Sequence, residues 1–338
     1  MRKGDKIGRG FLNRIKGRLA QVRRFLPLLR ILLSAVLIAL IFYYLVDSRQ
    51  FVKLLRSAKL SFLLLCVAII VADRFVMAWK WIILLRTQGS IVSFRAITEL
   101  TFISTFFGLF LPSILGGDLV RAYGLAKNIS NANLSISSVL IDRTIGVSSM
   151  MAISLVSAFG SYSYIANSRI LMVVFIFAGI FGVLVLLVFS SSGPKLLDKL
   201  LPFKGWDALR KKLKSIYDSF LQFKAYKTVL LYAIALSFAS QIMRIAVVYF
   251  SSLSLNLSTD FIYFLIFVPL TIILSILPVS IAGIGIREGA FIYFFTQVGM
   301  TSSSAFTLAL LVYFLPIIGT LPGAFIYAFR GLSGKKGV

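Results

Sequence analysis

The chain has 338 residues, 59% of them hydrophobic and only 14% charged, with a mean hydropathy of +0.95; a soluble domain carries roughly 25% charged residues, so this composition calls for lipid as solvent. Its 36 Lys+Arg against 11 Asp+Glu give a net charge of +25, and because the basic residues cluster in tails and loops beside apolar runs, they suit anionic lipid headgroups and not nucleic acid. With no histidine and a single cysteine, Cys66, intrachain disulfides, Cys/His metal sites and Ser-His-Asp or Cys-His catalysis are excluded.

The first 27 residues read as a basic tail. Met1 to Arg30 holds ten Lys+Arg and one acid, too long a basic region for a cleavable signal, and no small-residue cleavage site follows. Leu28–Val46 is therefore expected to be a retained first span. A spanning helix needs about 20 mostly apolar residues, and five further segments qualify: Leu60–Leu85, Leu134–Gly160, Ile170–Ser190, Thr228–Ser251 and Ala305–Phe329. Cys66 falls in an apolar run and reads as a core or lipid-facing residue. Trp79 and Trp81 flank Lys80 and are expected at the cytoplasmic interface.

Two apolar segments fit poorly as simple spans. Ala96–Leu111 runs into Pro-Ser-Ile-Leu-Gly-Gly, and Phe261–Leu277 runs into Pro-Val-Ser-Ile-Ala-Gly-Ile-Gly before a second apolar helix, Ala290–Val298. The basic tail, the basic loop Ser191–Lys227 and the C-terminal tail 331–338 are assigned to the cytoplasm by their charge. The loop is expected to carry a helix on the leaflet surface or a solvated linker helix. Asp47–Lys59 is the misfit, external in this scheme yet carrying four basic residues. With six spans and both tails inside, each awkward segment must enter and leave on one side. Both then read as re-entrant hairpins broken at Pro112 and Pro278. The fold class is an all-α polytopic membrane protein whose transmembrane domain occupies residues 28–330, in halves of about 28–160 and 169–330.

The halves repeat. Leu111-Pro112-Ser-Ile-Leu-Gly116-Gly117-Asp118-Leu-Val-Arg121 aligns with Leu277-Pro278-Val-Ser-Ile-Ala-Gly283-Ile-Gly285-Ile-Arg287: Leu-Pro, Gly five residues after the Pro and Arg nine after it. Three spans per half make the repeat inverted, the usual plan of secondary transporters. Irregular backbone at membrane depth is tolerated only when buried or lining a wet cavity. A helix restarting after Gly116-Gly117 or Gly283–Gly285 presents free N–H groups to an anion. Arg121 and Arg287 then supply planar forks suited to phosphate, with Asp118 and Glu288 to orient them or carry a proton. Two plainer alternatives stand beside this one: the arginines anchor hairpin ends at headgroup level, and the glycines serve only close helix packing. Glu99, Asp142, Arg143 and Arg244, with Asp73 and Arg74, also fall inside apolar segments, where each would cost about 2.5–3.5 kcal/mol unpaired. Pairing across helices is expected.

On Leu-Pro-Ser-Ile-Leu-Gly-Gly-Asp-Leu-Val-Arg (111–121), Asp142-Arg143 and Gly-Ile-Gly-Ile-Arg-Glu-Gly-Ala (283–290) the sequence resembles the flippase-like membrane region of lysylphosphatidylglycerol synthases. The resemblance spans about residues 28–330 and implies a lipid translocase or lipid-handling module of the cell membrane. It does not imply synthase activity, because the soluble aminoacyltransferase domain is not expected here. No cofactor or metal is expected, and no Walker-type stretch occurs, so ATP hydrolysis is not expected. The anticipated partner is an anionic lipid, with a partner enzyme or a second copy as further candidates. The alternative function is a membrane-embedded enzyme or scaffold in lipid or envelope glycolipid synthesis.

Overall fold

The computed structural model describes residues 39–90, 92–111, 116–129, 131–160, 221–276 and 283–330, with scattered positions in 32–36, 172–182 and 214–219. Among these residues the chain is helical and has no strand. The helices are α1 (Ser48–Arg56), α2 (Leu60–Arg86), α3 (Phe94–Phe110), α4 (Gly116–Ile129), α5 (Ala132–Gly160), α6 (Lys227–Ser254), α7 (Phe261–Ile276), α8 (Ile286–Thr296) and α9 (Ser302–Arg330). Four of them, α2, α5, α6 and α9, are long and apolar enough to cross a membrane. They coincide with four of the six expected spans. Of the other two, 28–46 is described in part, helical over 39–45, and 170–190 lies mostly outside the described residues, as do the basic loop, Pro112 and Pro278.

Local sequence sets the helix starts. Asp47 caps α1 by accepting from the Arg49 and Gln50 N–H groups, at 2.8 and 3.4 Å, and the Ser93 hydroxyl accepts from Ala96 N–H at α3. Such caps satisfy amides that have no partner in the first turn. Gly285 (φ 87°) caps α8, and its N–H donates to Glu288 Oε2 at 2.6 Å. That cap starts α8 at Ile286, four residues before the apolar run expected at Ala290.

The shorter helices form two antiparallel hairpins. α3 and α4 meet where Gly117 lies against the Ser104 carbonyl and Gly108, with Gly124 against Leu100 further along. α7 and α8 meet through Ser275 against Gly283 and through Phe267 against Phe294 and Phe295. Helices of 17, 14, 16 and 11 residues are roughly 16 to 26 Å long, short of the ~30 Å hydrocarbon core.

The long helices pack with alternating sense. α2 and α6 are antiparallel: Lys59 N–H donates to the Ser254 carbonyl, Phe62 stacks on Phe250, Cys66 lies against Val247 and Ser251, and Ser240 donates to Asp73. α5 runs parallel to α6, with Ala233 in one cluster with Leu134 and Ile141 and Gln241 donating to the Gly146 carbonyl. α9 runs beside α2, Gly319 against Ile70, and its start is tied to α1 by Asp47 N–H donating to Ser303. Hairpin α3–α4 packs on α9 of the second half, and α7 packs on α5 of the first. Each half thus lends its hairpin to the long helix of the other. Buried serines on α5 and α6 (Ser135, Ser138, Ser237, Ser240) permit this closeness, since lipid supplies no hydrophobic drive between helices.

Candidate functional site

Where the two halves meet there is a cavity of about 340 Å³. Its wall draws on the middle of α2 (Asp73, Arg74, Met77), the middle of α6 (Met243, Arg244, Val247), Tyr313 on α9, and the break-proximal ends of both hairpins (Gly108, Gly117, Arg121; Thr271, Arg287, Phe291). The residues flanking both helix breaks therefore lie at the level of the mid-points of the long helices. Five arginines reach this wall, Arg74, Arg121, Arg143, Arg244 and Arg287, against two acids, Asp73 and Asp118. The rest of the lining is largely apolar.

Asp73 is the first anchor. It accepts from Arg74, from the Ser240 hydroxyl and from Arg244 Nε at 3.2 Å. Arg74 also donates to Thr105 at 3.2 Å, which ties α2 to α3. The neighbouring Asp73 and Arg74 thus pair with each other as well as across helices, a departure from the expected pairing pattern.

Asp142 is the second. Lys80 Nζ and Arg121 Nη1 each approach one of its oxygens at 2.9 Å. Arg121 lies over the Trp81 ring at 4.0 Å, and Trp81 Nε1 donates to Ser138 at 3.1 Å. Arg121 is only 4% exposed, so its guanidinium is held by protein groups. Its Nε and Nη2, and Arg74 Nε, are buried without a hydrogen-bond partner, and such orphan donors are uncommon in a folded interior.

The second half builds its counterpart differently. Arg287 donates through Nε and Nη2 to Glu288 Oε1, at 3.2 and 2.6 Å, and lies over the Tyr313 ring at 4.7 Å. Glu288 is 1% exposed; its second oxygen caps α8. Glu288 therefore orients Arg287. Asp118 does not orient Arg121; it faces Arg143 at 3.7 Å.

The remaining expected residues divide. Asp142, Arg143 and Arg244 join the cavity cluster. Glu99 lies elsewhere, paired with the exposed Arg95 at 3.0 Å one turn away. Gly117 serves close packing, since a Cβ there would lie 2.8 Å from the Ser104 oxygen, and Gly116 is packed against Leu111. Gly283 and Gly285 hold positive φ angles of 77° and 87° that side-chain-bearing residues resist. Sequence reasoning misplaced Lys80 and Trp81. Both are buried, at 4% and 0% exposure, and complete the Arg121 site instead of marking an interface; only Trp79 is exposed. Tyr313 and Thr105 carried no signal beyond their place in apolar runs. Among the described residues no cluster of ligating side chains suits a metal ion.

Residues 28–323 match the family described as the lysylphosphatidylglycerol synthase TM region. The chain belongs to that family. Its relatives include a UPF0104 membrane protein of Pyrococcus horikoshii, 24% identical over 304 residues and covering 83% of this chain and 90% of that protein. A UPF0104 membrane protein of Methanocaldococcus jannaschii is 28% identical over 217 residues, covering 61% of this chain and 86% of that protein. The family match spans both hairpins and the cavity between them, and with the four spanning helices it makes this chain an integral membrane protein.

Proposed function

We propose that this protein binds an anionic lipid headgroup in the arginine-lined cavity and carries it between leaflets, with both hairpins re-entering the bilayer from opposite sides. The supporting observation is Arg121, buried and at the cavity wall, with two guanidinium nitrogens lacking partners. Two oxygens of one phosphate would satisfy both at once, because guanidinium and phosphate match as a planar fork to paired oxygens. Arg287, on the opposite hairpin, reaches the same space. Apolar neighbours such as Val247, Val268 and Phe291 offer a path for the first acyl carbons. In this reading the protein lies in the cell membrane with both termini cytoplasmic, following its basic segments.

The family's name does not carry its lipid across. Lysylphosphatidylglycerol bears two ammonium groups and one phosphate, and a net positive headgroup is repelled by five guanidinium groups. An anionic lipid fits better.

The test is transfer of fluorescent phosphatidylglycerol between leaflets in proteoliposomes. The Arg121→Ala/Arg287→Ala protein is expected to lose at least about tenfold in rate, the scale of one charge-assisted bond of roughly 1.5–3 kcal/mol. Rates equal to those of the parent protein would overturn the reading. A change in lipid mass after incubation would point instead to a membrane-embedded enzyme.

A further inference from the structure

The charges around the cavity do not cancel. Asp73 serves two cations, Arg74 and Arg244. Asp142 also serves two, Lys80 and Arg121. Asp118 faces Arg143 alone, and Glu288 holds Arg287 alone. Among the described residues the cluster therefore sets six basic side chains against four carboxylates, an excess of two positive charges. The excess arises at the two shared carboxylates. Asp73, Arg74 and Arg244 line the cavity, and Asp142 reaches it through Arg121, which lines it too.

An uncompensated charge inside a bundle is costly, and ionisable groups kept at membrane depth mark substrate or ion pathways. The unpaired donors coincide with the unpaired charge: Arg74 Nε at the first shared carboxylate, Arg121 Nε and Nη2 at the second. The cluster thus carries two surplus positive charges, and the two arginines that hold the three buried, unfilled N–H donors both line the cavity. A zwitterionic headgroup would leave both charges standing. A phosphodiester would neutralise one.

We infer that the cavity is matched to a compact dianion, a phosphate monoester carried on an apolar chain. This rests on the reading that the cavity binds an anionic lipid, and it narrows the substrate to lipids ending in a terminal phosphate. The guanidinium groups bind the terminal oxygens, and the apolar wall takes the start of the chain. Glycerol phosphate and inorganic phosphate share the headgroup chemistry without the chain.

The experiment measures binding to the purified, detergent-solubilised protein by native mass spectrometry at pH 8. There a phosphate monoester, with a second pKa of about 6, has lost both protons. The probes have identical acyl chains: phosphatidic acid, its methyl ester phosphatidylmethanol, and phosphatidylcholine. The methyl ester differs from the acid by one charge and little volume. Phosphatidic acid is expected to bind at least about tenfold more tightly than phosphatidylmethanol, with phosphatidylcholine weakest. Arg121→Gln removes one surplus charge while Asp142 keeps Lys80, and should shrink the preference to about twofold. Arg121→Lys keeps the charge but loses the fork, so it should weaken both lipids and retain the preference. Equal affinity for the acid and its methyl ester overturns the dianion match and leaves the anionic-lipid reading standing. Lipid affinities indifferent to Arg121→Gln and Arg121→Lys alike overturn both. Inorganic or glycerol phosphate binding as tightly as phosphatidic acid supports the dianion site and overturns the lipid as its owner.

Discussion

Asp142 is held between Lys80 of α2 and Arg121 of α4, all three buried. Removing the charge of one member leaves the others buried without balance, a loss of about 3–5 kcal/mol in soluble proteins. Asp142→Asn is therefore expected to lower stability by about that amount, read as a fall in the midpoint of thermal unfolding in detergent. Lys80→Met should cost less, because Asp142 retains Arg121 and the surplus positive charge falls by one. A Lys80→Met protein less stable than Asp142→Asn would show that the cluster is not overcharged. Lys80 and Trp81 also show why residues inside a span are hard to place from sequence. A Trp-Lys-Trp run near a helix end has the composition of an interfacial belt. The turn of α2 directs Trp81 and Lys80 inward and Trp79 outward, and which face is inward depends on α4 and α5.

At the scale of elements, the hairpins depend on backbone contact. Gly117→Ala would press a methyl against the Ser104 carbonyl oxygen at 2.8 Å, and backbone on both sides leaves little room to yield. Overpacking of this kind costs about 1–3 kcal/mol, and the shift would also move Arg121, one turn further along α4. Gly160→Ala, at the end of α5 with open space around it, should stay within about 0.5 kcal/mol of the parent. Unfolding midpoints of the two variants check the contrast; equal midpoints would mean that α3 and α4 have slack between them. The Leu-Pro…Gly…Arg repeat made both breaks legible, because proline and glycine change the backbone wherever they stand. It did not reveal that the two glycine pairs do different work, packing at Gly117 and positive-φ turns at Gly283 and Gly285.

For the whole molecule, the antiparallel pairing of α2 with α6 puts Ser57 and Ser258 at one end of the bundle and Arg86 at the other. Cys66 is buried, so single cysteines can be introduced over a quiet background. In intact cells an impermeant thiol reagent is expected to label Ser57→Cys and Ser258→Cys, and to label Arg86→Cys only after permeabilisation. Labelling of Arg86→Cys from outside would reverse the orientation drawn from the basic segments. Labelling of Ser57→Cys and Ser258→Cys from opposite sides would break the antiparallel pairing itself. Packing also bears on the basic Asp47–Lys59 stretch, the misfit of the charge scheme. Its helix α1 packs Phe51 and Leu54 on the core and ties to the start of α9, so packing positions it as well as charge.

Composition and local pattern alone determined the helical membrane class, four of the spanning helices and the two broken segments. Each follows from properties that act within one stretch of chain: apolar length, backbone freedom, the spacing of a repeat. Tertiary structure decided which charges meet. Lipid and protein interior are equally apolar, so hydrophobic periodicity does not mark the face of a spanning helix that turns inward. The sharing of Asp73 and Asp142 by two cations each, and the positive excess it leaves at the cavity, exist only once α2, α4, α5 and α6 are brought together.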